Sequence, residues 1–448
     1  MLQVLKYLKM KNFTINIIIS IILINITAQE EDLERERVGK FLNLFSVVRF
    51  TNAPCLGNTG RNGTCYTEKQ CRDKDGVVSG GCGGGFGVCC VFVIGCGGTS
   101  NENTTYMTTD VSSSECSYTI CKVNPTVSTI RLDFSTFEIA PPFSCGGSTE
   151  PVVCTAADGP RVGDCISDTF TVTTPGSPAP PTICGYNTGQ HMYIDGNDLC
   201  NKLTFFFDLA VPASRQWEIK VTQYDSSDDS RYLPPPDCLQ WHTGTLGEIK
   251  NFNFKDVNSV HLSSQRYSIC WRRERNKCGM CYSVGYFGMS NIPSQVPSPS
   301  TNSWTTKAGF TDSICCDEDT PHSNCRTSGA NDYIEIDNAS DRPVSSPFQV
   351  GEGNRFCGRW FGISPTGLAP GYTYSAGNAA RTICTSTLPF RLRVRFSDGE
   401  LLGSTGCSTT RAGAGSADTS DECATFRTYG NRRGTLGFML KWWQTNCL

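Results

Sequence analysis

Short runs of alternating apolar and polar residues recur along most of the chain. In the clearest, Ile130, Leu132 and Phe134 fall on one side and Arg131 and Asp133 on the other. Side chains of an extended segment point to opposite faces in turn, so this period of two predicts a half-buried strand. Similar runs follow at Asp168-Thr169-Phe170-Thr171-Val172, Leu203-Thr204-Phe205-Phe206-Phe207-Asp208 and Trp217-Glu218-Ile219-Lys220-Val221. A second cycle opens at Cys238 and passes through Tyr267-Ser268-Ile269-Cys270-Trp271 and Asp332-Tyr333-Ile334-Glu335-Ile336. It ends on Leu392-Arg393-Val394-Arg395-Phe396-Ser397-Asp398 and Gly437-Phe438-Met439-Leu440-Lys441-Trp442. After about residue 50 no long apolar pattern with helical spacing appears. The pattern predicts several small all-β modules. Two stretches, Pro293 to Thr306 (rich in Pro, Ser and Thr) and Gly403 to Ser420 (rich in Gly, Ser and Ala), read as loops inserted in the second cycle.

The first residues follow another logic. Lys6, Lys9 and Lys11 precede an apolar run from Ile17 to Ile26, and Thr27-Ala28 supplies a small residue for cleavage. That is the layout of a secretory signal over residues 1–28, and the run is too short for a spanning helix. Residues 29–50 pass from a charged stretch into Phe41 to Phe50, whose apolar end suits either a docking strand or a short helix. No later stretch has the roughly 20 apolar residues that a bilayer requires, so a secreted, extracellular product with no membrane span is expected. Net charge is −3 with 18% charged residues, which gives no field to attract nucleic acid.

Cysteine changes the picture most. The chain has 26, an even number, and in an oxidising compartment every thiol can be paired. Six of them (Cys55, Cys65, Cys71, Cys82, Cys89 and Cys90) crowd into residues 51–92 among Gly and Asn turn residues. A module that small buries too little surface to stand without cross-links. Cys89 and Cys90 are neighbours, so their side chains diverge and are expected to bridge different partners. Zinc is the chemical alternative, but oxidised cysteines cannot ligate it. Cys278-Gly279-Met280-Cys281 has redox spacing, yet its flanks read as strands rather than a helix N-terminus, which favours structural bridges to other cysteines.

Six cysteines closing on Gly87-Val88-Cys89-Cys90 resemble the arthropod clip domain. That likeness implies the pairs Cys55–Cys89, Cys65–Cys82 and Cys71–Cys90. The interval from Cys71 to Cys82 is short for the family. Residues 96–224 resemble a CUB domain, a jelly-roll β-sandwich of extracellular proteins. The landmarks are Cys96-Gly97-Gly98, Cys116-Ser117-Tyr118-Thr119-Ile120, the strand led by Asp168, Cys184-Gly185 and the two closing strands. The likeness implies Cys96–Cys116 and Cys165–Cys184 and leaves Cys121, Cys145, Cys154 and Cys200 for extra bridges. Residues 238–448 repeat the landmarks at Asp332, Cys357-Gly358 and the last two strands, with 225–237 as a linker. The whole from Leu42 to Cys447 resembles a group of secreted arthropod CUB-domain proteins. The expected fold is therefore all-β and disulfide-rich: CUB-like jelly-roll β-sandwiches in tandem behind a small N-terminal Cys-rich module.

The resemblance also makes Ca²⁺ a candidate cofactor, because many CUB domains hold it with one Glu and two Asp, and hard cations take oxygen ligands; the alternative is a set of turn and strand-end carboxylates in water. The matching positions are Glu138, Asp168 and Asp208 in the first sandwich and Asp332 and Asp398 in the second, with Asp317 and Glu318 near the missing Glu. Sequons at Asn62, Asn103 and Asn338 predict glycosylated turns. Basic residues gather at Arg272, Arg273, Arg275 and Lys277 and alternate at Arg391, Arg393 and Arg395. They suit an acidic glycan or simply a solvated strand face. Four histidines (His191, His242, His261 and His322) form no metalloprotease motif, and no nucleophile elbow or phosphate loop occurs. The expectation is a non-catalytic protein that binds another extracellular protein or a glycan. The alternatives are a structural component of matrix or cuticle and a silent docking partner of clip-domain proteases.

Overall fold

The computed structural model describes residues 52–144, 162–228, 233–255, 260–289, 332–340, 354–357, 361, 382–397 and 437–447. The signal-like segment, residues 29–50, Cys145, Cys154, Asp317, Glu318, His322, Asp398 and the two loop-like stretches lie outside them. The fold is all-β and disulfide-rich.

The head is a small sheet of β1 (Pro54–Leu56), β2 (Asn62–Tyr66) and β3 (Val77–Cys82), assembled on β4 (Gly87–Ile94). One short helix, α1 (Glu68–Asp73), begins on a reciprocal capping box between Thr67 and Gln70 and turns Cys71 inward. Tyr66, Cys71, Cys90 and Phe92 are its buried cluster. The disulfides Cys55–Cys89, Cys65–Cys82 and Cys71–Cys90 supply the restraint that so small a core lacks.

The head does not end where its last cysteine does. Past Cys90, β4 pairs in parallel with a strand of the first sandwich, matching Phe92, Val93 and Ile94 to Thr105, Tyr106 and Met107. Head and sandwich therefore share a sheet. In chain order the sandwich comprises β5 (Thr99–Ser100), β6 (Thr105–Thr108), β7 (Glu115–Ile120), β8 (Val127–Glu138), β9 (Asp168–Thr173), β10 (His191–Asp195), β11 (Asn201–Phe207) and β12 (Gln216–Asp225). One sheet runs β1-β2-β4-β6-β12-β8-β10 with β3 on β4, and the facing sheet runs β5-β7-β11-β9. Phe134, Phe137, Phe170, Phe205 and Trp217 pack between them. Phe134 and Phe137 are three residues apart, yet both face inward. The register between β8 and β12 slips there (Phe134 opposes Ile219, Thr136 opposes Glu218), so Ser135 is the extra residue of a bulge. Trp217 Nε1 donates to Tyr118 Oη (3.0 Å), which donates to Thr108 O (2.6 Å). Burial pushes the Tyr118 phenol up to about 12.

The second sandwich comprises β13 (Cys238–His242), β14 (Leu246–Lys250), β15 (Arg266–Trp271), β16 (Lys277–Gly288), β17 (Tyr333–Ile336), β18 (Arg355–Cys357), β19 (Ile383–Thr385), β20 (Arg391–Arg395) and β21 (Gly437–Asn446). Its sheets run β13-β15-β20-β17-β18 and β14-β21-β16-β19. Trp271, Tyr282, Ile334, Leu392, Val394, Leu440 and Trp442 belong to its buried core. Disulfides Cys238–Cys270, Cys278–Cys447 and Cys281–Cys384 tie it, and Cys121–Cys200, Cys96–Cys116 and Cys165–Cys184 tie the first.

The two sandwiches meet through buried amides. Asn253 Oδ1 accepts from Tyr186 N (3.0 Å), and Asn253 N donates to Asn187 Oδ1 (2.8 Å). Gln190 Nε2 donates to Asn251 O (3.1 Å), and Gln240 Nε2 donates to Gln190 Oε1 (3.2 Å) and His191 O (3.3 Å). Gly185 makes the close approach possible: its φ is +71°, and a Cβ there would stand 1.9 Å from Asn253 Oδ1. A buried polar network of this kind fixes one arrangement, because any other leaves donors and acceptors without partners. Head and sandwiches form one body.

Candidate functional site

At one end of the first sandwich stand the residues expected to hold a cation. Asp168 opens β9 opposite Phe207, the last residue of β11, and is fully buried. Its carboxylate meets Arg215, from the connection between β11 and β12. Arg215 Nε lies 2.8 Å from Oδ2 and Nη2 2.9 Å from Oδ1, a bidentate pair. Ala140 N donates to Oδ2 (2.8 Å) and Asp208 N to Oδ1 (3.2 Å). The same Arg215 Nη2 reaches the carbonyl oxygens of Asp208 (2.8 Å) and Val211 (3.1 Å).

The other two members of the expected set point elsewhere. Asp208 Oδ1 accepts from Ala210 N (3.0 Å). Glu138 accepts from Lys255 of the second sandwich (2.7 Å) and from Gln216 (3.4 Å). As arranged, Glu138, Asp168 and Asp208 do not fit Ca²⁺. Four N–H donors aim at the two oxygens of Asp168, where a divalent cation would need bare oxygen. Arg215 carries no motif; the only signal for it is a basic residue seven positions beyond Asp208.

The second sandwich repeats the frame with different side chains. Asp332 directly precedes β17 and is buried. Its Oδ1 accepts from Ser397 N (2.6 Å) and Ser397 Oγ (2.9 Å), just past β20. His261, from the connection between β14 and β15, stands 3.6 Å from Oδ2. Asp398, its expected companion, is outside the described residues. Among the described residues no three His, Cys, Asp or Glu side chains converge as a metal site.

The basic clusters are partly neutralised. Arg272 grips Glu274 with two nitrogens, which holds that carboxyl below its usual range. Arg273 donates to Lys277 O and Lys277 to Asn446. On β20, Arg391, Arg393 and Arg395 alternate with buried Leu392 and Val394, and Arg393 pairs with Asp337 (2.8 Å). Cys278 and Cys281 bond Cys447 and Cys384 respectively.

The sequons differ in setting. Asn62 is exposed on β2. Asn103 instead bridges to β12: its Nδ2 donates to Gln223 O (2.9 Å) and its Oδ1 accepts from Gln223 N (2.8 Å). Asn338 Nδ2 donates to Thr387 Oγ1 (2.9 Å).

Two histidines lie at the joint between the sandwiches. His191 Nε2 accepts from Trp241 N (3.1 Å), so its proton sits on Nδ1. Its ring is 5.0 Å from that of His242. Burial lowers both, His242 to about 4 and His191 well below its ordinary value.

Where head meets first sandwich, an open groove of about 540 Å³ is lined by Thr59 to Asn62, Tyr106, Ser135, Glu218 and Lys220. Arg61 spans it, pairing with Glu218 and lying over the Tyr106 ring. Tyr106 Oη accepts from Asn62 N (2.7 Å). The β8 bulge sets Ser135 on its wall. Nothing in the sequence brings these residues together; the parallel pairing of β4 with β6 does.

Residues 235–445, the span of the second sandwich, match the family model of the animal CUB domain. No match was found among curated proteins. Similar solved structures include the CUB1-EGF-CUB2 domains of rat MASP-1, at 13% identity over 78% of this chain and 99% of that one, with a TM-score of 0.20. The CUB1-EGF-CUB2 domain of human MASP-1/3 is 14% identical over 77% of this chain and 100% of that one, also at 0.20. The full extracellular region of zebrafish Gpr126/Adgrg6 is 10% identical over 80% of this chain and 37% of that one, again at 0.20.

Proposed function

We propose that the protein is a secreted, non-catalytic recognition protein of the extracellular space, and that it binds a glycan or another extracellular protein at the groove between head and first sandwich. The groove carries the reading. It has the volume of a small-molecule or oligosaccharide site, lies at a junction of modules where such sites concentrate, and is built from strands β2, β6, β8 and β12 with the β1–β2 turn closing one side. Its lining of hydroxyl, amide and charged groups suits a hydroxyl-rich or charged ligand. The match to the animal CUB domain supports extracellular binding in general, and the disulfides agree with an oxidising compartment. Asn62, exposed at the rim, is the sequon best placed to carry a glycan.

The test is binding of the labelled secreted protein to a glycan array and to a panel of extracellular proteins, beside the variants Ser135→Arg and Lys220→Glu. The reading expects at least one ligand whose binding falls tenfold or more in either variant. Ligands that bind both variants as well as the parent, or no ligand at all, contradict it.

A further inference from the structure

The oxygen-rich end of the first sandwich is already filled by a side chain. We infer that Arg215 is the resident cation of that end, so that its order comes from the chain itself and is independent of calcium. The guanidinium faces four oxygens: both of Asp168 and the main-chain carbonyls of Asp208 and Val211, all within 3.1 Å. A carboxylate and carbonyls are the donors a hard cation takes, but here they are met by a planar monovalent group. The Arg215 side chain is only 9% exposed and Asp168 is fully buried. Ala140 N and Asp208 N complete the carboxylate.

Two consequences follow from charge and geometry. The buried pair is neutral, so Ca²⁺ could enter only by ejecting the arginine and stranding N–H donors around Asp168. Arg215 also does what a bound metal would do mechanically. It ties the start of β9, the end of β11 and the connection to β12 to one another, and it stacks over the Phe207 ring at 5.7 Å. Arginine suits the role because it is weakly hydrated, always charged and bidentate toward carboxylate. Lysine would offer a compact point charge without the fork.

The experiment is hydrogen–deuterium exchange on the intact secreted protein, with excess Ca²⁺ and with chelator, read in peptides covering residues 138–143 and 207–216. In the parent the expected exchange is the same in both conditions. In Arg215→Met these peptides exchange tenfold or more faster in both conditions, and Arg215→Lys recovers only part of the protection. A tenfold gain of protection with Ca²⁺ in the parent overturns the inference, as does unchanged exchange in Arg215→Met. Should Arg215→Met fail to be secreted, the parent comparison decides alone. Any calcium bound by the second sandwich shows in other peptides and is not confused with this end.

Discussion

Asp168 and Asp332 hold the same post in the two sandwiches and are kept by different company. Each stands at the head of a strand, buried, and each accepts from a main-chain N–H just beyond the partner strand: Asp208 N in one case, Ser397 N in the other. From there they part. Asp168 faces a bidentate arginine and the Ala140 amide, whereas Asp332 receives the Ser397 hydroxyl and stands 3.6 Å from His261. The sandwich dictates that a carboxylate caps this turn. Among the described residues the groups that meet it differ: Arg215 from a connection in the first sandwich, the Ser397 hydroxyl and His261 in the second.

That difference sets the size of the expected effects. Arg215→Ala removes one partner of a buried pair and should cost about 3–5 kcal/mol by denaturant unfolding. A cost under 1 kcal/mol would mean that Asp168 is held without it. Asp332→Ala leaves the Ser397 amide and hydroxyl without their acceptor and should cost about 1–3 kcal/mol. A loss as large as that of Arg215→Ala would erase the contrast between the sandwiches.

The joint between them brings in pH. His242 is neutral in the folded state with its pKa near 4, against about 6.5 when unfolded. Between those values only the unfolded chain takes up the proton, so stability is complete above pH 6.5 and falls as pH drops toward 4. The shift corresponds to about 3 kcal/mol, lost across that window. His191 adds to it in the same direction. Unfolding of His242→Gln as a function of pH should show a shallower slope between pH 6.5 and 4. An equal slope would assign the acid sensitivity elsewhere. Smallest of all is Lys255→Ala, which breaks the partly exposed pair with Glu138 across the same joint and should change stability by about 0–1 kcal/mol.

The strands were legible from alternation alone, because a half-buried sheet face repeats every second residue and Ile130, Leu132 and Phe134 display it without interruption. Asp168 and Asp332 were also legible as strand openers. Arg215 was not, because it lies in a connection and reaches back 47 residues to its partner. The amide joint was hidden for a related reason. Asn187, Gln190, Asn251 and Asn253 sit between strands, where polar residues read as solvated loop; only the fold buries them. The groove depends on β4 passing beyond the head's last cysteine into the next sheet. The apolar Phe92-Val93-Ile94 run was visible, but its partner strand was not.

The most direct measurement is a double-mutant cycle between Asp168 and Arg215, using Asp168→Asn and Arg215→Met in calcium-free buffer and equilibrium unfolding as the readout. If Arg215 is the counter-charge of the first sandwich, the double variant is more stable than Arg215→Met alone, and the coupling energy lies near the upper end of the usual range of about 0.5–3 kcal/mol. Additive losses, with a coupling near zero, would contradict the account and return Asp168 to the list of carboxylates that await another cation.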